Sequence, residues 1–218
     1  MHTLLLCLAG PLQSWGTQSR FSVRDTGLEP SKSGVVGLLC AALGRPRSAP
    51  VADLAALRMG VRADREGIMA RDFHTAQQVL RANGGLKDTE PSNRYYLADA
   101  AFLVGLESPD LTLLQTLHAA LSHPVWPLYL GRKAFVPGEP VWREDGIKEG
   151  MDLLQALSPD VAPWQPHPGQ KRPEQLRLVL EDDNGSEVRR DQPLSFAERR
   201  FAPRRVQTQF IPLPGGAL

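Results

Sequence analysis

Hydrophobic positions in the first half of the chain follow strand and helix spacings in turn. Residues 4–9 form an unbroken apolar run, which is typical of a buried strand. Residues 31–44 are apolar nearly all round and predict a closely packed helix that ends at Gly44. Residues 57–62 then alternate between apolar and polar, which predicts a half-buried strand that residues 67–76 can continue beyond a turn.

Strand and helix spacings continue over residues 81–130, after a polar segment. Residues 81–93 are polar and rich in turn formers, which predicts a projecting loop or hairpin tip. Residues 95–106 predict a strand, residues 111–121 carry leucines at helical spacing, and residues 126–130 predict a further strand. This order of elements is that of the split βαβ arrangement. We therefore predict an α+β fold, with a ferredoxin-like βαββαβ domain.

The composition changes near residue 141, where prolines become frequent and helical periodicity weakens. Residues 176–181 and 187–190 flank a polar loop with Asn184-Gly185, which is typical of a β-hairpin. We predict two parts. Residues 1–140 form the ferredoxin-like domain, with a projecting hairpin at about 78–96, and residues 141–218 form a small β-rich appendage.

Composition narrows the function classes. The formal net charge is only +1, whereas a protein that coats duplex DNA non-specifically should be more basic. Of the 25 basic residues only five are lysine, and arginine is the better residue for phosphate forks and base stacking. A GC-rich genome would produce the same bias, so both explanations stay open.

Neither cysteine suggests a metal or a redox role. Cys7 and Cys40 lack a Cys-x-x-Cys or Cys/His partner, so we predict no disulfide framework, no zinc site and no cofactor. No apolar run approaches the roughly 20 residues that span a bilayer. The first residues lack the basic start of a signal peptide, and we expect a cytoplasmic protein.

A loop that leads into the first predicted helix has the chemistry of an anion site. It carries cationic and hydroxyl side chains, namely Arg20, Arg24, Ser31, Lys32 and Ser33. The free N–H groups and dipole of a helix N-terminus favour phosphate, which makes this entrance a candidate site. The alternative is an ordinary helix cap surrounded by solvated charges.

Two common nucleotide-binding motifs are absent from the sequence. A P-loop would need glycine at the positions of Thr26 and Ser31. The aromatic signature of RRM domains is missing as well, so we expect any RNA to bind without the usual stacked aromatics of that sheet.

Several motifs resemble the CasD family, the RAMP proteins of type I-E CRISPR Cascade. Residues 8–16 (LAGPLQSWG), 19–21 (SRF) and 30–39 (PSKSGVVGLL) resemble its N-terminal signature. Residues 94–100, residues 129–137 and the arginine-rich end of the chain match the family too, so the resemblance covers essentially the whole chain.

The resemblance implies an RNA-binding subunit. Such proteins hold the repeat-derived 5′ handle of the crRNA, cap the backbone filament and reach over the guide with a thumb-like hairpin. It implies CasC-type backbone and CasA-type large subunits as partners, target DNA reached only through the guide, and no membrane. Together with the local chemistry it predicts RNA-binding residues at Gln13, Ser14, Trp15, Arg20, Arg24, Ser31, Lys32, Ser33, Arg94, Arg132 and Lys133.

Catalysis is the remaining question, because relatives in type I-C systems are metal-independent endoribonucleases. Lys133 is followed by Ala134 and not by histidine, and the histidines suggest no triad. We therefore predict a non-catalytic protein. A crRNA-processing endoribonuclease and a protein–protein scaffold stay open as alternatives. The arginine pairs at 189–190, 199–200 and 204–205 could contact RNA, contact a partner or form a solvated face.

Overall fold

The computed structural model describes residues 1–18 and 22–213, and these residues form a mixed α/β structure made mostly of strands. The strands are β1 (His2–Ala9), β2 (Leu12–Gln13), β3 (Val23–Arg24), β4 (Arg58–Arg65), β5 (Ile68–Leu80), β6 (Leu86–Ala98), β7 (Ala101–Ser108), β8 (Ile147–Lys148), β9 (Gln175–Glu181), β10 (Glu187–Ser195) and β11 (Arg200–Pro212). The helices are α1 (Lys32–Leu43), α2 (Ala52–Ala55), α3 (Leu111–Ser122) and α4 (Leu153–Ala156). Among the described residues, no helix is both long and apolar enough to cross a membrane.

The main sheet has the order β10-β11-β9-β4-β7-β1-β8, and its neighbouring strands are antiparallel. Leu4 and Leu6 of β1 lie in the larger core cluster, together with buried residues of α1 and α3. Leu5 lies in a second cluster with Leu153 and Leu157, at α4. Strand β1 is therefore buried on both faces. This explains its unbroken apolar sequence and confirms the predicted central strand.

Helix α1 begins and ends as its sequence predicts. Ser31 is its N-cap and accepts a hydrogen bond from the backbone N–H of Gly34. Gly44 ends it with a φ of 69°, in the left-handed region that favours glycine. A Cβ at Gly34 would lie 2.8 Å from Trp15 Cε3, so the absence of a side chain there lets the helix approach that ring.

A second sheet holds the projecting segment. Its order is β2-β6-β3, and β5 pairs with β6 as a long antiparallel hairpin from Ile68↔Ala98 to Leu80↔Leu86. The predicted projection is thus a hairpin, and its strands extend beyond residues 78–96. The periodicity did not indicate the full length, because most residues of β5 are exposed on both faces of the strand.

Two of the predicted strands are wrong. Residues 95–106 are not one strand, since Asp99, with a φ of 54°, separates β6 in the second sheet from β7 in the main sheet. Residues 126–130 form no strand. The N–H groups of Val125 and Trp126 instead donate to carbonyls at the end of α1, and Pro127 has no N–H to give to a ladder. The position beside β1 is taken by the two-residue strand β8.

The predicted hairpin around Asn184-Gly185 is also wrong. β9 and β10 both pair with β11 and not with each other. β10 pairs with the first half of β11, and β9 pairs with its second half. A turn does form there, but a Cβ at Gly185 would lie 2.4 Å from the backbone of Val206, so β11 runs directly against it. Strands from both predicted parts of the chain share the main sheet. The division at residue 140 stays a prediction.

Candidate nucleic-acid interface

Three arginines from distant parts of the sequence meet at the edge of the second sheet. The parallel pairing of β3 with β6 places Arg24 opposite Arg94. Arg132 reaches the same place, because its Nη2 donates to the carbonyl of Tyr95 at 2.8 Å and to that of Arg24 at 3.4 Å. We call Arg24, Arg94 and Arg132 the arginine cluster.

The electrostatics of the arginine cluster favour an anion. The pKa of the Arg132 guanidinium lies below its ordinary value because of partial burial and the positive charges of Arg94 and Arg24, while Asp25 and Asp72 act in the opposite direction. Arginine nevertheless stays protonated at any physiological pH. A site that keeps like charges together gains when a phosphate neutralises them.

The conformation of Arg132 is fixed by its neighbours. Besides its two backbone acceptors, its guanidinium carbon lies 5.4 Å from the centroid of the Phe135 ring, which suits a cation–π contact. The Phe135 ring in turn lies 5.9 Å from that of Tyr96. Lys133 is exposed beside it. The loop therefore presents a preorganised guanidinium and an exposed ammonium side by side.

Three other predicted residues face inward, and one of them, Ser14, meets the arginine cluster. Gln13 is fully buried, and its Nε2 donates to the carbonyls of Leu8 and Ala100 at 2.8 Å each. The indole Nε1 of the buried Trp15 donates to Gln13 Oε1 at 3.0 Å. The Oγ of Ser14 lies 3.3 Å from the carbonyl of Tyr95, the same oxygen that Arg132 contacts. Direct contact of these three residues with RNA stays a prediction.

The entrance of α1 is occupied by the protein's own carboxylates. Lys32 is only 1% exposed, and its Nζ donates to both oxygens of Glu181 and to Gln192 Oε1, each at 2.9 Å. Its backbone N–H donates to Asp191 Oδ2 at 2.7 Å. Burial lowers the pKa of Lys32, and Glu181 opposes that shift. These contacts favour the helix-cap alternative over a phosphate site. The Oγ of Ser33 also lies 3.5 Å from that of the N-cap residue, Ser31, which supports the same alternative.

The comparisons with known proteins agree with the resemblance seen in the sequence. The model of the family described as "CRISPR-associated protein (Cas_Cas5)" matches residues 3–207, nearly the whole chain. The chain belongs to this family. A relative described as "CRISPR system Cascade subunit CasD" from Escherichia coli (strain K12) is 35% identical over 170 residues, which cover 71% of this chain and 75% of the relative. The predicted membership of the CasD family is thereby confirmed.

Two solved structures resemble nearly the whole chain. One, described as "Crystal structure of Cas protein", is 47% identical, has a TM-score of 0.76, and the match covers 98% of each chain. The other, described as "CRISPR RNA-guided surveillance complex", is 33% identical with a TM-score of 0.78 and covers 98% of this chain and 91% of that one. The mixed α/β architecture is therefore shared with a subunit of a surveillance complex.

The remaining candidates from the sequence are Arg20 and the arginine pairs near the C-terminus. Arg20 lies outside the described residues. Among the arginines near the C-terminus, Arg204 is buried against Asp191, and Arg189 pairs with Glu29 and Glu187, so part of that group stabilises the fold. Sequence reasoning missed the carboxylates at the entrance of α1. They lie some 150 residues away in the chain, and no local signal identifies them.

Proposed function

We propose that this protein is a crRNA-binding subunit of a Cascade-type CRISPR complex, and that it holds the 5′ handle without cutting RNA. The arginine cluster is the observation that supports this most strongly. Guanidinium groups contact phosphate oxygens through forked hydrogen bonds, and several of them on one surface suit a single-stranded backbone. The relative named as a Cascade subunit and the structure of a surveillance complex support the same role.

The proposal extends to the finer fold. β8, β1, β7 and β4 lie side by side in the order 4-1-3-2, counted along the chain, and α1 and α3 share the core on one face. This arrangement supports a ferredoxin-like unit of the RAMP type. The β5–β6 hairpin is then the thumb that reaches over the guide, and its length and exposure support that role.

The partners follow from the same role. We propose that CasC-type backbone subunits and a CasA-type large subunit adjoin this chain, that target DNA is met only through the guide, and that the complex works in the cytoplasm without a cofactor. Within residues 1–18 and 22–213, no group of three or more His, Cys, Asp or Glu side chains is placed to hold a metal ion.

A matched pair of arginine variants tests the RNA site. In Arg24→Ala/Arg132→Ala two positive charges leave the arginine cluster, whereas Arg199→Ala/Arg200→Ala removes two exposed charges at the turn between β10 and β11. Each charge-assisted bond is worth about 1.5–3 kcal/mol, so the first variant should bind labelled repeat RNA at least about tenfold more weakly and with a shallower salt dependence. Weakening by the control variant alone would place the site on the C-terminal strands.

The non-catalytic part of the proposal has its own test. Ala134 cannot transfer a proton where a catalytic residue after Lys133 would be needed, so the purified protein should leave labelled repeat RNA intact in EDTA. Specific scission that disappears in His74→Ala would contradict this and establish a metal-independent endoribonuclease.

A further inference from the structure

A groove of about 270 Å³ separates the outer side of α1 from the loop of residues 124–131. Three aromatic rings line it, those of Trp126, Tyr129 and Phe196. Arg45 and Arg47 line it as well, and Arg45 forms an ion pair with Asp53. Trp126 and Tyr129 expose 43% and 37% of their surface. None of the described residues that line the groove is acidic. The groove therefore combines aromatic rings with the positive charge of Arg47, which is unpaired among the described residues.

The walls of the groove are held in place without a ligand. The N–H groups of Val125 and Trp126 donate to the carbonyls of Ala42 and Ala41 at 3.0 and 3.1 Å, which anchors the loop on the end of α1. On the opposite side, Arg47 Nη2 donates to the carbonyl of Phe196 at 3.0 Å. A preformed space of this size lies just below the roughly 300–1,000 Å³ typical of ligand pockets, so it suits a single ring system.

The groove adjoins the arginine cluster along the chain. Gly131 lines the groove, and the next residue, Arg132, belongs to the arginine cluster. Gly131 has a φ of 89°, and a Cβ there would lie 1.7 Å from the carbonyl oxygen of Ser14, so only glycine lets the loop run this close to β2. A strand of RNA with phosphates on the arginine cluster would therefore pass the mouth of the groove.

We propose that the groove takes one unstacked base of the single-stranded RNA, in contact with the rings of Trp126 and Tyr129. This inference rests on the proposed function and adds a base-binding site to it. Every base has a π-face, and stacking of a base on an aromatic ring is worth about 1–3 kcal/mol. A short peptide of a partner subunit is the other occupant to test, but the positive charge of Arg47 and the adjoining arginine cluster favour a phosphodiester chain.

Three aromatic variants of the full-length protein test this site with labelled single-stranded repeat RNA. Trp126→Ala and Tyr129→Ala should each weaken binding by about five- to 150-fold and leave the salt slope unchanged, since no phosphate contact is lost. Phe210→Ala removes a ring that is 56% exposed on β11 and should bind RNA like the wild type. All three residues are at least one-third exposed, so the melting temperatures should stay close to that of the wild type.

Fluorescence supplies an independent readout. RNA should quench the indole emission of the wild type, and Trp126→Phe should lose most of that quench while its affinity stays near that of the wild type, because phenylalanine still stacks. This outcome would support the proposal even where an alanine variant folds poorly.

A failure of the base site can be distinguished from a failure of the proposed function. If the Arg24/Arg132 double variant binds weakly but both alanine variants at Trp126 and Tyr129 bind like the wild type, the base site is wrong and the proposed function stands. If those two variants bind RNA normally but no longer assemble with the other Cascade subunits, the groove is a protein interface and the base site is again overturned. If the wild type itself binds no RNA, the proposed function fails, and the base site fails with it.

Discussion

Replacement of Asp191 by alanine should destabilise the whole protein, although the residue lies on an edge strand. Its carboxylate accepts the backbone N–H of Lys32 at the start of α1 and two bonds from Arg204, at 2.7 and 3.0 Å. Both members of the Asp191–Arg204 pair are buried. Asp191→Ala would leave the Arg204 guanidinium buried with a longer contact of 3.6 Å to Glu181.

The burial of the Asp191–Arg204 pair determines how much stability should be lost. Removal of one partner from a buried ion pair costs about 3–5 kcal/mol, because the remaining charge is left uncompensated. The matched control is Glu198→Ala. It removes the exposed Glu198–Arg200 pair and should cost less than about 1 kcal/mol.

Urea unfolding followed by tryptophan fluorescence measures both variants. With a slope of about 2 kcal/mol per molar urea, Asp191→Ala should lower the midpoint by about 1.5–2.5 M, and the control should hardly move it. Asp191→Ala combined with Arg204→Met should recover part of the loss, since a buried ion pair can be exchanged for apolar contacts. Equal midpoints for Asp191→Ala and Glu198→Ala would refute the reasoning.

Two further predictions concern the thiols and the hairpin. Burial, with Glu139 nearby, raises the pKa of Cys7 to about 11, so a thiol reagent at pH 8 should label native Cys7 slowly and label it rapidly after unfolding. Rapid labelling of the native protein, followed by mass spectrometry, would contradict this. Replacement of residues 76–90 by a two-glycine turn should leave the melting temperature almost unchanged, because most of these residues are exposed, yet weaken assembly with the other Cascade subunits. A large loss of stability by calorimetry would show instead that the hairpin tip belongs to the core.

Local signals predicted those elements that local physics determines. The apolar run of β1 indicates that the strand is buried, and Ser31 and Gly44 indicate where α1 begins and ends. The apolar residues of the segment 126–130 predict a strand, whereas Pro127 and the carbonyls at the end of α1 favour a capping loop. The Asn184-Gly185 turn does form, but β11 competes for both flanking strands, and no local pattern reveals that competition.

In the candidate site too, local patterns predict single residues but not the contacts between distant ones. The sequence predicts Arg24, Arg94 and Arg132 as separate RNA-binding residues. That they meet depends on a two-residue pairing of β3 with β6, which is too short to show a periodicity. Lys32 had the sequence context of a free cation at a helix start. The carboxylates that surround it come from Glu181 and Asp191, 149 and 159 residues further along, so only the tertiary structure could place them there.

Crosslinking of the crRNA within the assembled complex tests the central claim most directly. A crRNA with photoreactive nucleotides in its 5′ handle would be incorporated with the other Cascade subunits, irradiated and analysed by mass spectrometry of the crosslinked peptides. The account predicts crosslinks on peptides that contain Arg24, Arg94 or Arg132, and their loss in Arg24→Ala/Arg132→Ala. Handle crosslinks confined to β9, β10 and β11, or found only on other subunits, would contradict it.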